Sequence, residues 1–155
     1  MSQISIQQEN PHNEDVTILL QTHLSFCYEC TPPENVYALD IDALCKPNIS
    51  VYVGRINEEV ISVCALRLIN EYHGELKSMH TLKQARGKGI GKAMLDYVIN
   101  IAKNKGLNRL SLETGTMKEF VSARNLYYSI GFKDCEPFEN YEESIYSICM
   151  TMELK

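Results

Sequence analysis

The sequence predicts an α/β (or α+β) fold built around one β-sheet. Segments with the alternating apolar pattern of strands are interspersed with segments whose apolar residues recur every three or four positions, as in helices. The length of 155 residues predicts one domain that covers residues 1–155. Hydrophobic residues make up 45% of the chain and charged residues 23%, both typical of globular proteins. This composition excludes a disordered, collagen-like or coiled-coil chain.

The N-terminal part predicts a short strand followed by one or two helices. Ile4 and Ile6 suggest the strand, and a stripe of apolar residues marks the first helix. That stripe consists of Val16, Leu19, Leu20, Leu24 and Cys27. Proline cannot continue a helix without losing a hydrogen bond, so Thr31-Pro32-Pro33 should end it.

A β-hairpin and a bulged strand follow. Residues 49–69 alternate apolar and polar positions up to a turn at Asn57-Glu58 and then run apolar, which predicts two antiparallel strands. In the next segment, GELKSMHTL, regular strand alternation would place Leu76 on one face of the sheet and Met79 and Thr81 on the other. Such a slip in phase indicates a β-bulge, a feature that often redirects backbone groups beside a functional site.

Two helices and two strand regions complete the pattern. Apolar residues at helical spacing run from Ile90 to Ala102, and Gly106 is placed to cap that helix. The strand-like stretch LNRLSLET comes next, and residues 116–119 match a capping box that would open a helix ending at Gly131. That helix would carry Phe120, Ala123, Tyr127 and Ile130. Alternation over residues 146–152 predicts a final strand.

Charge and hydropathy exclude several classes of function. The net charge is −5, whereas proteins that track a phosphate backbone are usually basic, so nucleic acid is not an expected ligand. No stretch approaches the roughly 20 apolar residues that cross a bilayer, and the N-terminus lacks a basic segment followed by an apolar run. We therefore expect a cytoplasmic protein without membrane contact, whose six cysteines are free thiols.

The run QARGKGIGKAM predicts an anion-binding turn between a strand and a helix. Its three glycines let the backbone approach a ligand, and the unpaired amides and dipole of a helix N-terminus favour negative charge. The positive charges of Arg86, Lys88 and Lys92 add to this. A Walker A loop is excluded because Ala93, not Ser or Thr, follows Gly91-Lys92. A Rossmann dinucleotide site remains an alternative, with Glu113 in the role of the ribose-binding carboxylate.

The segment Gln84-Ala85-Arg86-Gly87-Lys88-Gly89 matches the Q/R-x-x-G-x-G/A motif of the GNAT superfamily of N-acetyltransferases. The similarity extends over about residues 49–152, because the strand before this motif, the helix after it and the later A-x-x-L-Y-x-x-x-G-F segment also resemble the family. The resemblance implies a central mixed, mostly antiparallel sheet of six or seven strands flanked by about four helices.

The resemblance also implies acetyl-CoA as co-substrate and assigns residues to its binding. Backbone groups of the bulged strand would pair with the pantetheine arm, and the amides and cations of the glycine-rich segment would hold the pyrophosphate. The residues implied are Met79, His80, Thr81, Gln84, Arg86, Gly87, Lys88, Gly89, Ile90, Gly91 and Lys92.

Acetyl transfer to an amine needs a proton acceptor for the amine and a proton donor for the departing thiolate. Tyr127 matches the family tyrosine that protonates the thiolate, and a phenol is protonated at neutral pH. Glu75 matches a glutamate that acts as general base in some members, and Glu113 is a rival for that role. His80 could also reach the thioester, although a lone histidine on a strand is more often structural. Many family members have Asn where this chain has Phe120.

These observations together predict an N-acetyltransferase that moves an acetyl group from acetyl-CoA to a primary amine by direct attack. The acceptor, a small-molecule or peptide amine, is not identified by the sequence; Tyr28, Pro32, Pro33, Tyr37 and residues 138–141 fall where the family shapes the acceptor pocket. A catalytically idle acyl-CoA sensor is the alternative function. A homodimer is possible in this family. Cys27, Cys30 and His23 share a helix face, but a single C-x-x-C is weak support for zinc, and no metal is expected.

Overall fold

The computed structural model describes residues 3–154 and contains one mixed seven-stranded sheet with α-helices packed on both faces. The strands are β1 (Ser5–Gln8), β2 (Ile49–Ile56), β3 (Glu59–Leu68), β4 (His73–Thr81), β5 (Arg109–Gly115), β6 (Lys133–Cys135) and β7 (Ser147–Glu153). The α-helices are α1 (Glu14–Cys30), α2 (Ile90–Asn104) and α3 (Val121–Ile130).

The sheet order is β1-β2-β3-β4-β5-β7-β6, and every neighbouring pair is antiparallel except β4–β5. The predicted mixed, mostly antiparallel sheet is therefore confirmed. The expectation of about four helices differs in detail, because the described residues form three α-helices and four 3-10 helices of three residues each. The N-terminal region forms one α-helix, which ends at Cys30, directly before the Thr31-Pro32-Pro33 segment.

Helices cover both faces of the sheet because side chains alternate along each strand. On β3, Val63 and Ala65 belong to the core that contains the apolar stripe of α1. Cys64 and Leu66, which alternate with them, belong to the core that contains the apolar residues of α2. The single sheet thus separates two hydrophobic cores, and the larger one also includes Tyr127 of α3.

The predicted bulge is present in β4. Val63 of β3 pairs with His80 and Ala65 pairs with Lys77, so two residues of β4, Ser78 and Met79, lie opposite one residue of β3. Ser78 takes up the irregularity with a positive φ of 53°. The change of phase between Leu76 and Met79 that the sequence shows is the direct consequence of this extra residue.

The predicted capping box at residues 116–119 is wrong. The Thr116 hydroxyl donates a hydrogen bond to the backbone carbonyl of Ile145 instead of capping a helix. A 3-10 turn at Lys118–Phe120 precedes α3, and no side chain caps the helix at Phe120. A tertiary contact with a distant loop therefore replaces the local motif. The end of this helix is as expected, since Gly131 adopts a φ of 122° and donates to the carbonyls of Tyr127 and Tyr128.

None of the helices within residues 3–154 combines the length and the apolar character needed to cross a membrane.

Candidate active site

A cavity forms where the two parallel strands of the sheet separate. Strands β4 and β5 pair over three positions only, the last being Glu75 with Ser111. Beyond this point, residues 76–81 of β4 and 112–115 of β5 line a cavity of about 460 Å³. The bulge lies within the separated part of β4, so the backbone is irregular where it faces the cavity. We call the region where the strands part the apex of the cavity.

The glycine-rich loop, residues 84–91, forms the other end of the cavity, which we call the loop end. Gly87 and Gly89 have φ values of 78° and 80°, in the left-handed region that favours glycine. A Cβ atom added to either would meet no other atom within 4 Å, so the backbone of this loop borders open space. Helix α2 begins directly after Gly89, and the first-turn amides of a helix lack partners within it. The loop end thus has the geometry of an anion site.

Most residues expected to bind the co-substrate line this cavity. They are Met79, His80, Thr81, Arg86, Gly87, Gly89, Ile90, Gly91 and Lys92. Two are not part of the lining: Gln84 lies in an exposed 3-10 turn, and Lys88 is exposed between the two glycines. Gly91 has a packing role, because a Cβ there would lie 2.9 Å from Cδ2 of Leu126 on α3.

Tyr127 lies on the inward face of α3 and reaches the cavity. Its side chain belongs to the core and packs edge to face on Phe132, with ring centroids 5.9 Å apart. Burial raises the pKa of the phenol above its usual value, and the neighbouring Cys64 and Glu113 add to the shift. The phenol is therefore neutral at physiological pH and can donate a proton or a hydrogen bond into the cavity.

Glu113 of β5 lines the cavity near the apex. Its pKa is raised to about 7, mainly by burial, and the positive charge of Lys77 opposes this shift. A carboxyl group with a pKa close to neutral exists in both protonation states at physiological pH. Such a group can take up a proton and release it again, which is the requirement for a general base.

Glu75 is completely buried next to the cavity and is not part of its lining. Its carboxylate accepts hydrogen bonds from Nε of Arg67 at 2.9 Å and from the hydroxyl of Tyr141, and Nη2 of Arg67 lies 2.8 Å away in an ion pair. The ammonium group of Lys77 lies 3.4 Å away. Glu75 therefore joins two strands of the sheet to the loop that carries Tyr141.

Three cavity side chains and Arg86 form a hydrogen-bonded chain. Nη2 of Arg86 lies 3.5 Å from Nε2 of His80, Nδ1 of His80 lies 3.0 Å from Nδ1 of His23, and Nε2 of His23 lies 3.6 Å from Sγ of Cys27. Since a guanidinium can only donate, Nε2 of His80 accepts, its Nδ1–H donates to His23, and Nε2–H of His23 donates to the sulfur. Both imidazoles are neutral in this arrangement.

The surroundings of the two imidazoles favour that neutral state. Burial lowers the pKa of His23 to about 3, with the charges of His80 and Lys77 adding to it, and burial together with Arg86 lowers the pKa of His80 to about 4. All six cysteines are free thiols, and within residues 3–154 no group of three or more His, Cys, Asp or Glu side chains is arranged to hold a metal ion.

The apex is completed by residues from distant parts of the chain. Tyr37, from the loop after α1, lines the cavity and packs on Tyr141 with ring centroids 5.0 Å apart. The hydroxyl of Tyr141 accepts a hydrogen bond from Nζ of Lys77 at 2.8 Å. Sequence analysis did not single out Lys77. The available signal was its parity: Glu75 and Lys77 are two positions apart on a strand, which places both side chains on one face.

Phe120 also has a packing role at the cavity. Its ring lies 5.1 Å from that of Phe26 in an edge-to-face contact, and both rings line the cavity. The neighbouring position on β5 must be glycine, because a Cβ on Gly115 would lie 2.4 Å from Cδ2 of Phe120. This chain therefore has an apolar wall at the position where many family members have a polar Asn.

Comparisons with known proteins agree with this geometry. The chain is 40% identical over 139 residues to the uncharacterized N-acetyltransferase YsnE of Bacillus subtilis, which covers 90% of this chain and 92% of the relative. A Klebsiella pneumoniae protein described as an acyl-CoA N-acyltransferase has the same fold, with a TM-score of 0.81 at 22% identity over 98% of both chains. A GNAT acetyltransferase of Elizabethkingia anophelis, solved with acetyl-CoA bound, has a TM-score of 0.72 at 24% identity over 97% and 98% of the two chains.

The family model for GNAT acetyltransferases matches residues 17–132, a range that contains the glycine-rich loop, the bulged strand, Glu113 and Tyr127. The chain belongs to the GNAT acetyltransferase family.

Proposed function

We propose that this protein transfers the acetyl group of acetyl-CoA to the primary amine of a small molecule or peptide by direct attack. The observation that carries the proposal is the continuity of one cavity, which joins a glycine-rich anion site at the loop end to a neutral phenol and a near-neutral carboxyl group further in. Membership of the GNAT family supports the choice of donor.

The loop end fits the diphosphate of CoA. The open space beside Gly87 and Gly89 can take a phosphate group close to the backbone, and the first amides of α2 can donate hydrogen bonds to it. Arg86 supplies positive charge there, and its Nε–H donates to the carbonyl of Thr81 at 3.0 Å, which fixes the side chain beside β4. The separated edge of β4 leaves backbone groups of residues 79–81 for the pantetheine arm.

Glu113 and Tyr127 are the residues to which we assign proton transfer. Acetyl-CoA supplies the acetyl group as a thioester, and the neutral amine that attacks its carbonyl carbon must lose a proton as the new bond forms. Glu113 takes that proton as the C–N bond forms and the C–S bond breaks, and Tyr127 gives its phenolic proton to the sulfur. One proton is taken up and one is released, so transfer between the two groups or with solvent restores both.

Glu75 is assigned a positioning role. Its carboxylate is engaged by Arg67, Lys77 and Tyr141, and it does not border the cavity. Removing this buried carboxylate would leave Lys77 without a carboxylate partner and Arg67 with Glu139 alone, at a substantial free-energy cost. A variant at Glu75 therefore tests the architecture of the apex, whereas a variant at Glu113 tests proton transfer.

The test of the proposal combines binding and turnover. Calorimetry should detect acetyl-CoA binding, and thiol release from acetyl-CoA should increase when primary amines are added. Binding of acetyl-CoA without turnover over a broad amine panel would support the sensor instead of the enzyme. No binding of acetyl-CoA by the folded protein would contradict the proposal altogether.

A further inference from the structure

The apex contains a buried cation that the proton-transfer assignment does not use. The side chain of Lys77 is 8% exposed, and the residue lines the cavity immediately before the bulge. Its ammonium group donates to Tyr141 Oη at 2.8 Å and lies 3.4 Å from Glu75 Oε2. An ammonium has three donors, and in residues 3–154 these are the two acceptors it contacts. Among the described residues, one N–H of Lys77 therefore has no acceptor in the protein.

Arg67, which also pairs with Glu139, shares the Glu75 carboxylate with Lys77. The same carboxylate is held by Arg67 through Nε at 2.9 Å and Nη2 at 2.8 Å, distances shorter than that to Lys77. The Tyr141 hydroxyl donates to Glu75 Oε2, the oxygen that lies 3.4 Å from Lys77. The contact of Glu75 with Lys77 is thus longer than its contact with Arg67, and a buried ammonium with an N–H left over favours binding of a further anion.

Glu113 faces the same cavity and is not paired with Lys77. No contact within 4 Å joins the two groups among the described residues, although the positive charge of Lys77 lowers the pKa of Glu113. The apex thus presents one buried cation and one half-buried carboxyl group that are not paired with each other. The complement of such a pair is a small molecule that carries an amine and a carboxylate.

We propose that the acetyl acceptor is an amino carboxylate, a molecule of the amino-acid type whose carboxylate binds Lys77 while its amine faces Glu113. This inference rests on the proposed function and specifies its acceptor. The cavity lining also includes Val36, Tyr37 and Ala38, which can contact an apolar or aromatic side chain, and Tyr37 packs on Tyr141, the partner of Lys77. A polyamine or an aminoglycoside would bring further positive charge close to Lys77, which disfavours both classes.

Matched acceptors test the inference because they differ in one group. Leucine, leucinamide and 3-methylbutylamine share the amine and the apolar side chain, and only the first has a carboxylate; phenylalanine, phenylalaninamide and phenethylamine form a second set. With thiol release as the readout, we expect kcat/KM of the wild type to be at least about 10-fold higher for the amino acid than for its amide or amine. A charge-assisted hydrogen bond is strong enough to give this ratio.

Substitution of Lys77 should remove the preference. In Lys77→Met, we expect the kcat/KM ratio of amino acid to decarboxylated amine to fall to about 1, and in Lys77→Arg, which keeps the charge, the preference should persist. Lys103→Met, which changes an exposed lysine on α2 outside the cavity, serves as the matched control and should keep the wild-type ratio. If Lys77→Met does not fold, Lys77→Gln, which removes the charge and keeps a polar side chain, replaces it and should also bring the ratio to about 1.

The outcomes separate this inference from the proposed function. Equal or better kcat/KM for the decarboxylated amines, or an unchanged ratio in folded Lys77→Met, would overturn the amino carboxylate while leaving the acetyltransferase intact. If the wild type binds acetyl-CoA but turns over no acceptor, calorimetry of the same acceptor sets on the CoA complex replaces the rate measurement, and the amino acid must bind most tightly. Failure to bind acetyl-CoA would contradict the proposed function itself.

Discussion

The loop end of the cavity is formed by backbone, whereas the apex is formed by side chains. The loop end consists of backbone from one continuous segment, residues 84–91, whose shape depends on the left-handed conformations of Gly87 and Gly89. The apex consists of side chains from β4, β5 and two distant loops, held by hydrogen bonds and ion pairs such as that between Glu75 and Arg67. Substitutions should therefore act through conformation at the loop end and through charge at the apex.

The charges at the two ends also differ in their surroundings. Arg86 and Lys92 at the loop end are exposed, and Lys92 pairs with Asp96 on the surface of α2 at 2.7 Å. Exposed charges of this kind contribute little to stability but can attract an anion. At the apex, Lys77 and Glu75 are almost entirely buried, so loss of a partner would leave a buried charge uncompensated. These surroundings support our proposal that the loop end binds the CoA donor and that the apex selects the acceptor.

The largest effect is expected at the apex, for Glu113→Gln. The change keeps the size of the side chain and removes proton uptake, so kcat should fall by about 10³-fold, within the range of general base catalysis. Since the pKa of Glu113 is about 7 and the deprotonated form is the active one, kcat of the wild type should rise as pH increases through about 7. That limb of the pH profile should be absent in the variant.

Glu59→Gln, which changes an exposed carboxylate at the start of β3, is the control and should keep both kcat and the pH profile. A wild-type rate in Glu113→Gln would show that another group accepts the proton, and Glu75 would be the next residue to test.

A smaller loss of rate is expected for Tyr127→Phe, where the ring remains in the core and only the proton donor is removed. The turnover number should fall by about 10²-fold, while the affinity for acetyl-CoA stays within a factor of about three. If the hydroxyl were only structural, its loss would cost at most about 1.5 kcal/mol of stability without an effect on turnover of the folded protein. Rate and thermal midpoint measured on one preparation distinguish these outcomes.

At the loop end the expected effect is on binding, and helix α2 supplies a matched pair of glycines. Gly89 precedes the helix with a φ of 80°, and Gly106 follows it with a φ of 83°; at both, a Cβ meets no atom within 4 Å. Alanine at either position should cost about 1–2 kcal/mol because of the left-handed conformation. Only Gly89→Ala should also weaken acetyl-CoA binding, by about 10-fold in calorimetry. Equal affinities in the two variants would contradict the assignment of the loop.

The same contrast explains what the sequence could predict. The glycine-rich loop and α2 form one local motif, and the bulge in β4 follows from a change of parity between Leu76 and Met79, so each was evident within a dozen residues. Gln84 and Lys88 are the exceptions, because a linear motif does not tell which side chains of a loop turn away from the cavity.

Contacts between segments far apart in the chain could not be predicted from the sequence pattern. The partners of Glu75 are Arg67, Lys77 and Tyr141, and the last is 66 residues away in the chain. The capping box failed for a related reason, since the hydroxyl of Thr116 bonds to a carbonyl 29 residues further on. The resemblance to the GNAT family identified two candidate carboxylates, but their different surroundings, an ion-pair network for Glu75 and the cavity wall for Glu113, come from tertiary structure.

The smallest expected effect is on stability, and it concerns the neutral imidazoles between the two ends. The pKa values of His23 and His80, about 3 and about 4, lie below the usual 6.5 because the folded protein buries both rings. The unfolded chain takes up protons near pH 6.5 and the folded protein only at lower pH, so stability should decrease as pH falls from about 6.5 towards 4. For a chain of this length, each kcal/mol lost lowers the thermal midpoint by about 2–4 °C.

His80→Asn keeps a hydrogen-bonding group near the position of Nδ1 and removes one titration, so its midpoint should fall less between these pH values than that of the wild type. His12→Asn, at a histidine whose side chain is 56% exposed, is the control and should retain the wild-type pH dependence. Parallel midpoints for wild type and His80→Asn over this pH range would show that the chain of hydrogen bonds from Arg86 to Cys27 does not require a neutral His80.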